Sequence, residues 1–316
     1  MALDLLCIGL TTLDVVARPI DRLPDKEETI LIDGIEVVPA GTAAGAALVA
    51  GALGLDVGLA GAVGDDRNGR FVRLVLGETG VRTDWLQTIP EAPTSTTVLA
   101  IDANGRRPAF HALGASHRFA LSPPVFEAAA AARFVHWAGV GARNLDRGPG
   151  AELLAAAKAG GAVVTCDLIS PNRHAAEELS RLLPYVDWFL PSATEALALS
   201  GAADLPAAAA HFRAQGAGAC IIKNGADGAF FSLGERQLTL PAHAISPVDT
   251  TSCGDAWCAG FIAGLRHGFD PVEAARFATA TAALVAQGLG TLGRLQDFDT
   301  TLQAMRTLPL REPALA

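Results

Sequence analysis

The stretch that most constrains this chain runs from Val248 to Gly264, Val-Asp-Thr-Thr-Ser-Cys-Gly-Asp-Ala-Trp-Cys-Ala-Gly-Phe-Ile-Ala-Gly. A β-branched approach gives way to a turn of small polar residues that closes on Gly254-Asp255. Apolar and small residues then recur at helical spacing, at Ala256, Trp257, Gly260, Phe261 and Gly264. A strand end, a tight loop and a helix start make an anion site, because the first helical turn carries unpaired N–H donors and the positive end of the macrodipole. A carboxylate at Asp255 would repel an anion there unless it has a proton to take, and a base beside a phosphate points to phosphoryl transfer. Read alone, Gly254-Asp255 is an ordinary turn and N-cap. The loop also holds Asp249, Thr250, Thr251 and Ser252, which is more polar equipment than a cap requires.

The chain has 316 residues, half of them apolar, enough to bury a large core as one big α/β domain or two smaller ones. A formal charge of −9 with no basic run argues against an electrostatic grip on nucleic acid or an anionic membrane. Any bound phosphate must then be held by local donors. Five cysteines, Cys7, Cys166, Cys220, Cys253 and Cys258, lie mostly in apolar runs without Cys-x-x-Cys spacing. They read as buried thiols of a reducing compartment, so a cytoplasmic location is expected. The opening Met-Ala-Leu-Asp-Leu-Leu-Cys-Ile-Gly reads as a first strand and not a signal peptide. Apolar stretches such as 43–55 are too short to span a bilayer.

Leu5 to Leu10 is an unbroken apolar run, as expected of a strand buried on both faces of a parallel sheet. Asp14 follows near its carboxyl end, where ligands of open α/β sheets bind. Between Val15 and Pro39 the pattern breaks into short alternating pieces, with antiparallel strands predicted over Thr29 to Val38. A second β-like piece covers Ser95 to Ala112, with Asn104-Gly105 as a hairpin signal. These insertions, at about 15–38 and 95–112, predict a small accessory sheet that covers a site. From Arg133 onward strands (134–138, 162–168, 188–190, 219–223) alternate with helices (149–159, 175–183 and one opening at 191–195). A hairpin over 229–240 and a last helix at 271–286 follow, and 308–316 reads as a loose tail. Strands alternating with helices imply right-handed crossovers and a mainly parallel sheet.

The stretch at 248–264 resembles the Asp-Thr-x-Gly-Ala-Gly-Asp signature of the ribokinase-like (PfkB) family of carbohydrate kinases. Ala40-Gly41-Thr42-Ala43-Ala44-Gly45-Ala46-Ala47 resembles that family's Gly-Gly-x-x-x-Asn-x-Ala signature, and Gly61 to Gly69 looks like its Gly-x-Asp-x-x-Gly turn. Ser192-Ala193-Thr194-Glu195 resembles its Asn-x-x-Glu motif, and Lys223 to Gly228 its Lys-x-Gly-x-x-Gly loop. The motifs come in the family's order and the resemblance runs from Leu5 to about Thr291. The chain departs from the pattern at Ala40, at Gly45 in place of an Asn whose amide binds sugar hydroxyls in relatives, at Ser192 in place of Asn, and at Ser252 and Cys253 in place of Gly and Ala.

The resemblance implies a ribokinase-like three-layer α/β sandwich over 1–316, with a mainly parallel central sheet and the two insertions forming a β-sheet lid. It implies ATP-dependent phosphorylation of a hydroxyl on a sugar or sugar derivative. Asp255 would be the general base, and the backbone of Ser252, Cys253, Gly254 and Asp255 the anion hole. Asp14, Gly41, Thr42 and Gly45 would meet the substrate, while Ser192, Lys223, Gly225, Gly228 and Gly254 would meet the nucleotide. Glu195 would organise Mg2+, directly or through water, and Asp249 and Thr251 are candidates for a monovalent-cation (K+) site. Members often pair lids, so a homodimer through the lid is implied. Arg107, His111 and Ser116 are either exposed hairpin positions or substrate contacts. The alternatives are a nucleoside kinase of the same family and a catalytically silent small-molecule-binding member. The departures at Ala40, Gly45, Ser192 and Ser252 feed the silent reading, and intact Gly254, Asp255 and Glu195 oppose it. There is no P-loop motif, and Gly9 to Asp14 lacks the glycine spacing of a dinucleotide site.

Overall fold

The computed structural model describes residues 2–142, 144–172 and 174–312. Its first strand, β1 (Leu5–Gly9), shows how the core divides: Leu6 and Ile8 enter one hydrophobic layer, and Leu5 and Cys7 enter the other. This alternation within a wholly apolar run is what a strand covered on both faces requires. Next come β2 (Thr12–Arg18), β3 (Gly34–Ala40), α1 (Thr42–Ala52), β4 (Val57–Gly64), α2 (Arg67–Glu78), β5 (Leu86–Ile89), β6 (Thr96–Ala100) and β7 (Ala109–Ala112). The second half alternates α3 (Pro123–Ala131), β8 (Phe134–Val140), α4 (Gly150–Ala159), β9 (Val163–Leu168), α5 (Ala175–Leu182), β10 (Trp188–Phe189), α6 (Ala193–Ser200), α7 (Leu205–Ala214) and β11 (Ala219–Lys223). It closes with the hairpin β12 (Ala229–Leu233) and β13 (Arg236–Leu240) and the helices α8 (Cys253–Arg266), α9 (Pro271–Val285) and α10 (Phe298–Thr307).

Among the described residues the main sheet has the order β13-β12-β11-β10-β9-β8-β1-β4-β5. It is parallel from β11 through β5, and the β11–β12–β13 edge is antiparallel. Helices α3 to α7 cover one face through Val125, Leu153, Leu179, Ala196 and Phe212. Helices α1, α2, α8, α9 and α10 cover the other. The result is the expected three-layer sandwich. Parallel strands all point their carboxyl ends the same way, so the residues just past β9, β10 and β11 meet along one edge.

A separate sheet, β3-β2-β6-β7, comes from the two strand-rich insertions. Its strands differ from the expected ones. The first begins at Thr12, so Asp14 lies within β2 and not in a loop after β1. Residues 29–32, expected to be extended, find no strand partner, and pairing starts at Gly34. The expected hairpin does form: β6 and β7 pair antiparallel, and the turn over 102–105 is closed by the Gly105 N–H donating to the Asp102 carbonyl at 3.0 Å, with Gly105 at φ 80°. Direct partners place Asp14, Thr97 and His111 in one inward row and Val37, Val15, Val98 and Phe110 in the outward row.

Beyond the helix taken as the last lies α10, started by a capping box of Asp297 and Thr300. The expected loose tail is also tied down: Leu310 bridges to His243, and the Arg311 N–H donates to the Ala242 carbonyl at 2.8 Å. Its last four residues, 313–316, lie outside the described residues.

Helix α1 consists of small residues, and this lets its start press on the sheet. Gly41, just before it, has φ 91°, and a Cβ there would stand 2.7 Å from the Leu10 carbonyl oxygen. Gly41→Ala is therefore expected to destabilise the protein by more than about 1 kcal/mol, seen as a lower urea midpoint with unchanged slope, because it adds a left-handed penalty to a backbone clash.

Candidate active site

The loop before α8 is held by its own backbone and by one carboxylate. The Val248 N–H donates to the Ala286 carbonyl at 2.7 Å. Buried Asp249 accepts from the Thr251 N–H at 2.7 Å and from the Gly290 N–H at 3.0 Å, stapling the loop to the end of the α9 region. Ser252 then turns the chain in the left-handed conformation (φ 55°, ψ 7°), so it supplies the positive φ that a glycine would have given. Ser252 is the N-cap residue and makes no side-chain cap. Asp255 lies two positions into the helix, so it is not the cap either. Among the described residues the N–H groups of Gly254 and Asp255 meet no acceptor, leaving two aligned donors at the positive end of a helix.

Asp255 is half-buried. Burial lifts its carboxyl well above the ordinary carboxylate range and Asp167 adds repulsion, while Lys223 and a hydrogen bond from Ser252 work in the opposite direction. Lys223 ends β11 and Asp167 lies near the end of β9, and their Nζ and Oδ2 atoms are 2.5 Å apart. The thiol of Cys258, on α8, lies 3.2 Å from the same Asp167 oxygen and 3.4 Å from the ammonium. Burial opposes the charge on Lys223, but the Asp167 carboxylate outweighs it and holds the ammonium above its ordinary value. A Cβ on Gly254 would lie 3.5 Å from Lys223 Nζ, so the ammonium reaches the first turn of α8.

Asp167, Lys223, Gly254 and Asp255 line a cleft of about 520 Å³, together with Ser192, Glu195, Gly225, Gly228 and Cys253. Ser192 and Glu195 form a capping box at the start of α6: the Ser192 N–H donates to Glu195 Oε2 at 2.7 Å, and the Glu195 N–H to Ser192 Oγ at 3.3 Å. The Ser192 hydroxyl is thus spent on its own helix. Gly225 and Gly228 turn the chain between β11 and β12, both at positive φ. Away from α8's first turn the cleft wall is largely apolar, from Pro247, Trp257, Ala282, Ala283 and Ala286. Cys253 faces this cleft, yet burial pushes its thiol up to about 12, which leaves it inert as a nucleophile near neutrality.

Asp14, Gly41, Thr42 and Gly45 do not line this cleft. Of the four, Gly45 lies directly against Asp255, and Asp14 is near enough for its charge to act on that carboxyl. A Cβ at Gly45 would lie 3.0 Å from Asp255 Oδ2, so the carboxylate is tucked against the bare turn of α1. Burial also raises the Asp14 carboxyl, which accepts from the Thr12 hydroxyl at 2.8 Å. The Thr42 hydroxyl donates to the Ala138 carbonyl at 2.6 Å and so is already engaged. Ser116 is buried and accepts from the Thr11 N–H, which removes it from the exposed hairpin, while His111 is exposed and bonded to Thr97. Asp167, Cys258, His243 and Arg311 were not singled out from the sequence. Asp167 carried one usable signal, a polar residue at the carboxyl end of a buried strand; Arg311 carried none, since it lies in the presumed tail.

Among the described residues no group of three or more His, Cys, Asp or Glu is arranged to hold a metal ion, and no helix is long and apolar enough to cross a membrane.

Residues 2–297 match the model of the pfkB family carbohydrate kinases. A fructokinase from Klebsiella pneumoniae is 30% identical, covering 93% of this chain and 94% of its own. A nucleoside kinase from Methanothermobacter thermautotrophicus is 26% identical over 93% of each chain. The solved structure of Arabidopsis thaliana ribokinase complexed with ribose and ATP superposes with a TM-score of 0.82 at 25% identity, covering 97% of this chain and 99% of that one.

The raised carboxyl at Asp255 has a consequence for stability. The folded chain keeps a proton that the unfolded chain releases, so stability is full below the ordinary aspartate value and is lost as pH rises through the raised one. Asp255→Asn is isosteric and uncharged. Its melting temperature is expected to exceed the parent's by a margin that grows from about pH 4 upward, checked by thermal melts across pH.

Proposed function

We propose that this chain, which belongs to the pfkB family of carbohydrate kinases, transfers the terminal phosphoryl group of ATP to a hydroxyl of a sugar or sugar derivative, with Asp255 as the general base. The observation that carries this reading is the half-buried Asp255 carboxyl, set beside two unbonded N–H donors at a helix start and facing a cleft that also holds Lys223. A polyphosphate fits that donor set: two amides and an ammonium lie together at the first turn of α8, and the apolar wall beyond suits a nucleobase. Lys223 and the Gly225–Gly228 turn would hold the phosphates. Glu195 would hold Mg2+, using the oxygen that takes no part in its capping box. When bound, Mg2+ neutralises charge between the phosphoryl groups.

On the other side of Asp255, the acceptor would lie against Asp14, Gly41 and Gly45, with its reacting hydroxyl directed at the base. Asp255 takes that proton as the oxygen attacks. The Gly254 and Asp255 amides receive the charge that builds on the transferred group. A carboxyl raised by burial is a stronger base than an ordinary aspartate, and it must be ionised to act. The raised carboxyl therefore sets an acid limb above the ordinary carboxylate range in the pH profile of kcat/KM. Turnover falls as pH drops through that value. The free cysteines support a cytoplasmic enzyme.

The test is ADP release from MgATP with a panel of pentoses, hexoses, ketoses, sugar acids and nucleosides. Turnover on one class names the acceptor and separates a sugar kinase from a nucleoside kinase. Asp255→Asn is expected to lower kcat by about 10² to 10⁴ with nucleotide affinity retained; a variant that still turns over would remove Asp255 from the base role. Nucleotide binding with no turnover on any acceptor would favour a silent binder.

The outward row of the small sheet supports a homodimer through the lid. Val37, Val98 and Phe110 are exposed by 41%, 42% and 63% on cross-strand partners, an apolar strip with no cover of its own. Light scattering should give twice the chain mass for the parent and a monomer for Val98→Glu; a monomeric parent would refute the pairing.

A further inference from the structure

Arg107 stands in the 101–108 connection of the small sheet, yet it lines the same cleft as Lys223, Gly254 and Asp255. Its Nη1 donates to the hydroxyl of Thr251, in the loop just before α8, at 3.4 Å, the long end of a hydrogen bond to a neutral acceptor. Its neighbour Arg106 is locked to Asp102 at 2.5 Å, whereas among the described residues Arg107 pairs with no carboxylate. One weak bond leaves most of a five-donor fork unused. The guanidinium charge also acts on the first residue of α8, where it opposes the effect of burial on the Cys253 thiol. Around the cleft stand Asp167, Glu195 and Asp255, against a Lys223 ammonium already committed to Asp167. With Lys223 tied to Asp167, the other cations of the lining are Arg107 and Arg311, and of these Arg107 is the one bonded to the loop before α8.

We propose that Arg107 is a catalytic residue borne by the lid: it exchanges its bond to Thr251 for the oxygens of the phosphoryl group in transfer. The inference rests on the phosphotransfer reading above. In the step, the bond from the γ-phosphorus to the β,γ-bridging oxygen breaks and its electron pair leaves with ADP. The acceptor oxygen forms the new bond to phosphorus, and the acceptor's proton passes to Asp255. Arg107 gains and loses no proton; its planar fork matches two phosphoryl oxygens where charge is spread, which an ammonium cannot do. Because the residue belongs to the small sheet, the same contact couples closure of that sheet to the chemistry.

The test needs no acceptor. Calorimetry would compare MgADP with Mg·AMP-PNP, the β,γ-imido triphosphate, on the parent, Arg107→Gln and Arg107→Lys. Arg107→Gln is expected to bind MgADP within about threefold of the parent and to lose about tenfold or more of its preference for the triphosphate, with Arg107→Lys in between. With whichever acceptor the panel identifies, kcat of Arg107→Gln should fall by about 10² to 10³, as when one donor to a developing charge is removed. A role confined to fastening the lid would move both nucleotides alike. Retained triphosphate preference in Arg107→Gln, or a loss confined to the acceptor KM, would overturn the proposal alone. A parent that binds neither nucleotide would sink the phosphotransfer reading with it.

Discussion

The ammonium of Lys223 and the carboxylate of Asp167 lie 2.5 Å apart at the ends of two strands separated by one other, and the charge balance of the site depends on this pair. Two carboxylates, Asp167 and Asp255, press on one another in a half-buried place, and a single ammonium answers both. Removing one partner of a buried pair leaves the other uncompensated, which commonly costs about 3–5 kcal/mol. The sheet makes the arrangement affordable. Parallel strands β9, β10 and β11 end on one edge, so Asp167, Ser192 and Lys223 arrive together without any loop having to carry them across the molecule.

The same edge concentrates local strain. Ser252 takes the left-handed conformation that costs a residue with a Cβ roughly 1–2 kcal/mol. What holds it there is visible: Asp249 accepts two backbone N–H groups of the loop and its neighbour, and α8 is packed against α1 and α9 on its far side. Strain that persists only because its surroundings over-determine it is the usual mark of a preorganised site. Here the product of the strain is specific. It aims the Gly254 and Asp255 amides outward, where the next acceptor must come from a ligand or from water.

The parts of the site legible in the sequence were those fixed by neighbours along the chain. Gly254-Asp255 at a helix start, Ser192 with Glu195 three positions on, and the Gly225–Gly228 turn each follow from local pattern, and the alternation of strands and helices carried the three-layer sandwich. Illegible were the contacts that depend on register across the sheet. Asp167 and Lys223 are 56 residues apart, and Asp167 and Cys258 are 91 apart; no spacing rule links them. Asp14 read as lying just past the carboxyl end of β1, because nothing local announces that Thr12 to Arg18 forms a strand of a separate sheet. The tail at 308–312 has no periodicity and is ordered only by pairing with residues near His243. Its Arg311 could not have been assigned to the cleft from composition.

Two departures from the family's signatures, independent in the sequence, turn out to be neighbours in space. Gly45 lacks the side chain usual at its position, and Ser252 has one where a glycine is usual. A Cβ at Gly45 would lie 3.4 Å from the Ser252 hydroxyl oxygen and 3.0 Å from Asp255 Oδ2. Volume lost from α1 is therefore partly regained from the loop before α8, and the Asp255 carboxylate occupies the gap that remains. Close-packed interiors tolerate changes best when total volume is kept, and here the Ser252 hydroxyl and the Asp255 carboxylate both stand against the bare face of Gly45. Each departure alone looks like damage to a motif, whereas together they are one repacked surface around an unchanged aspartate.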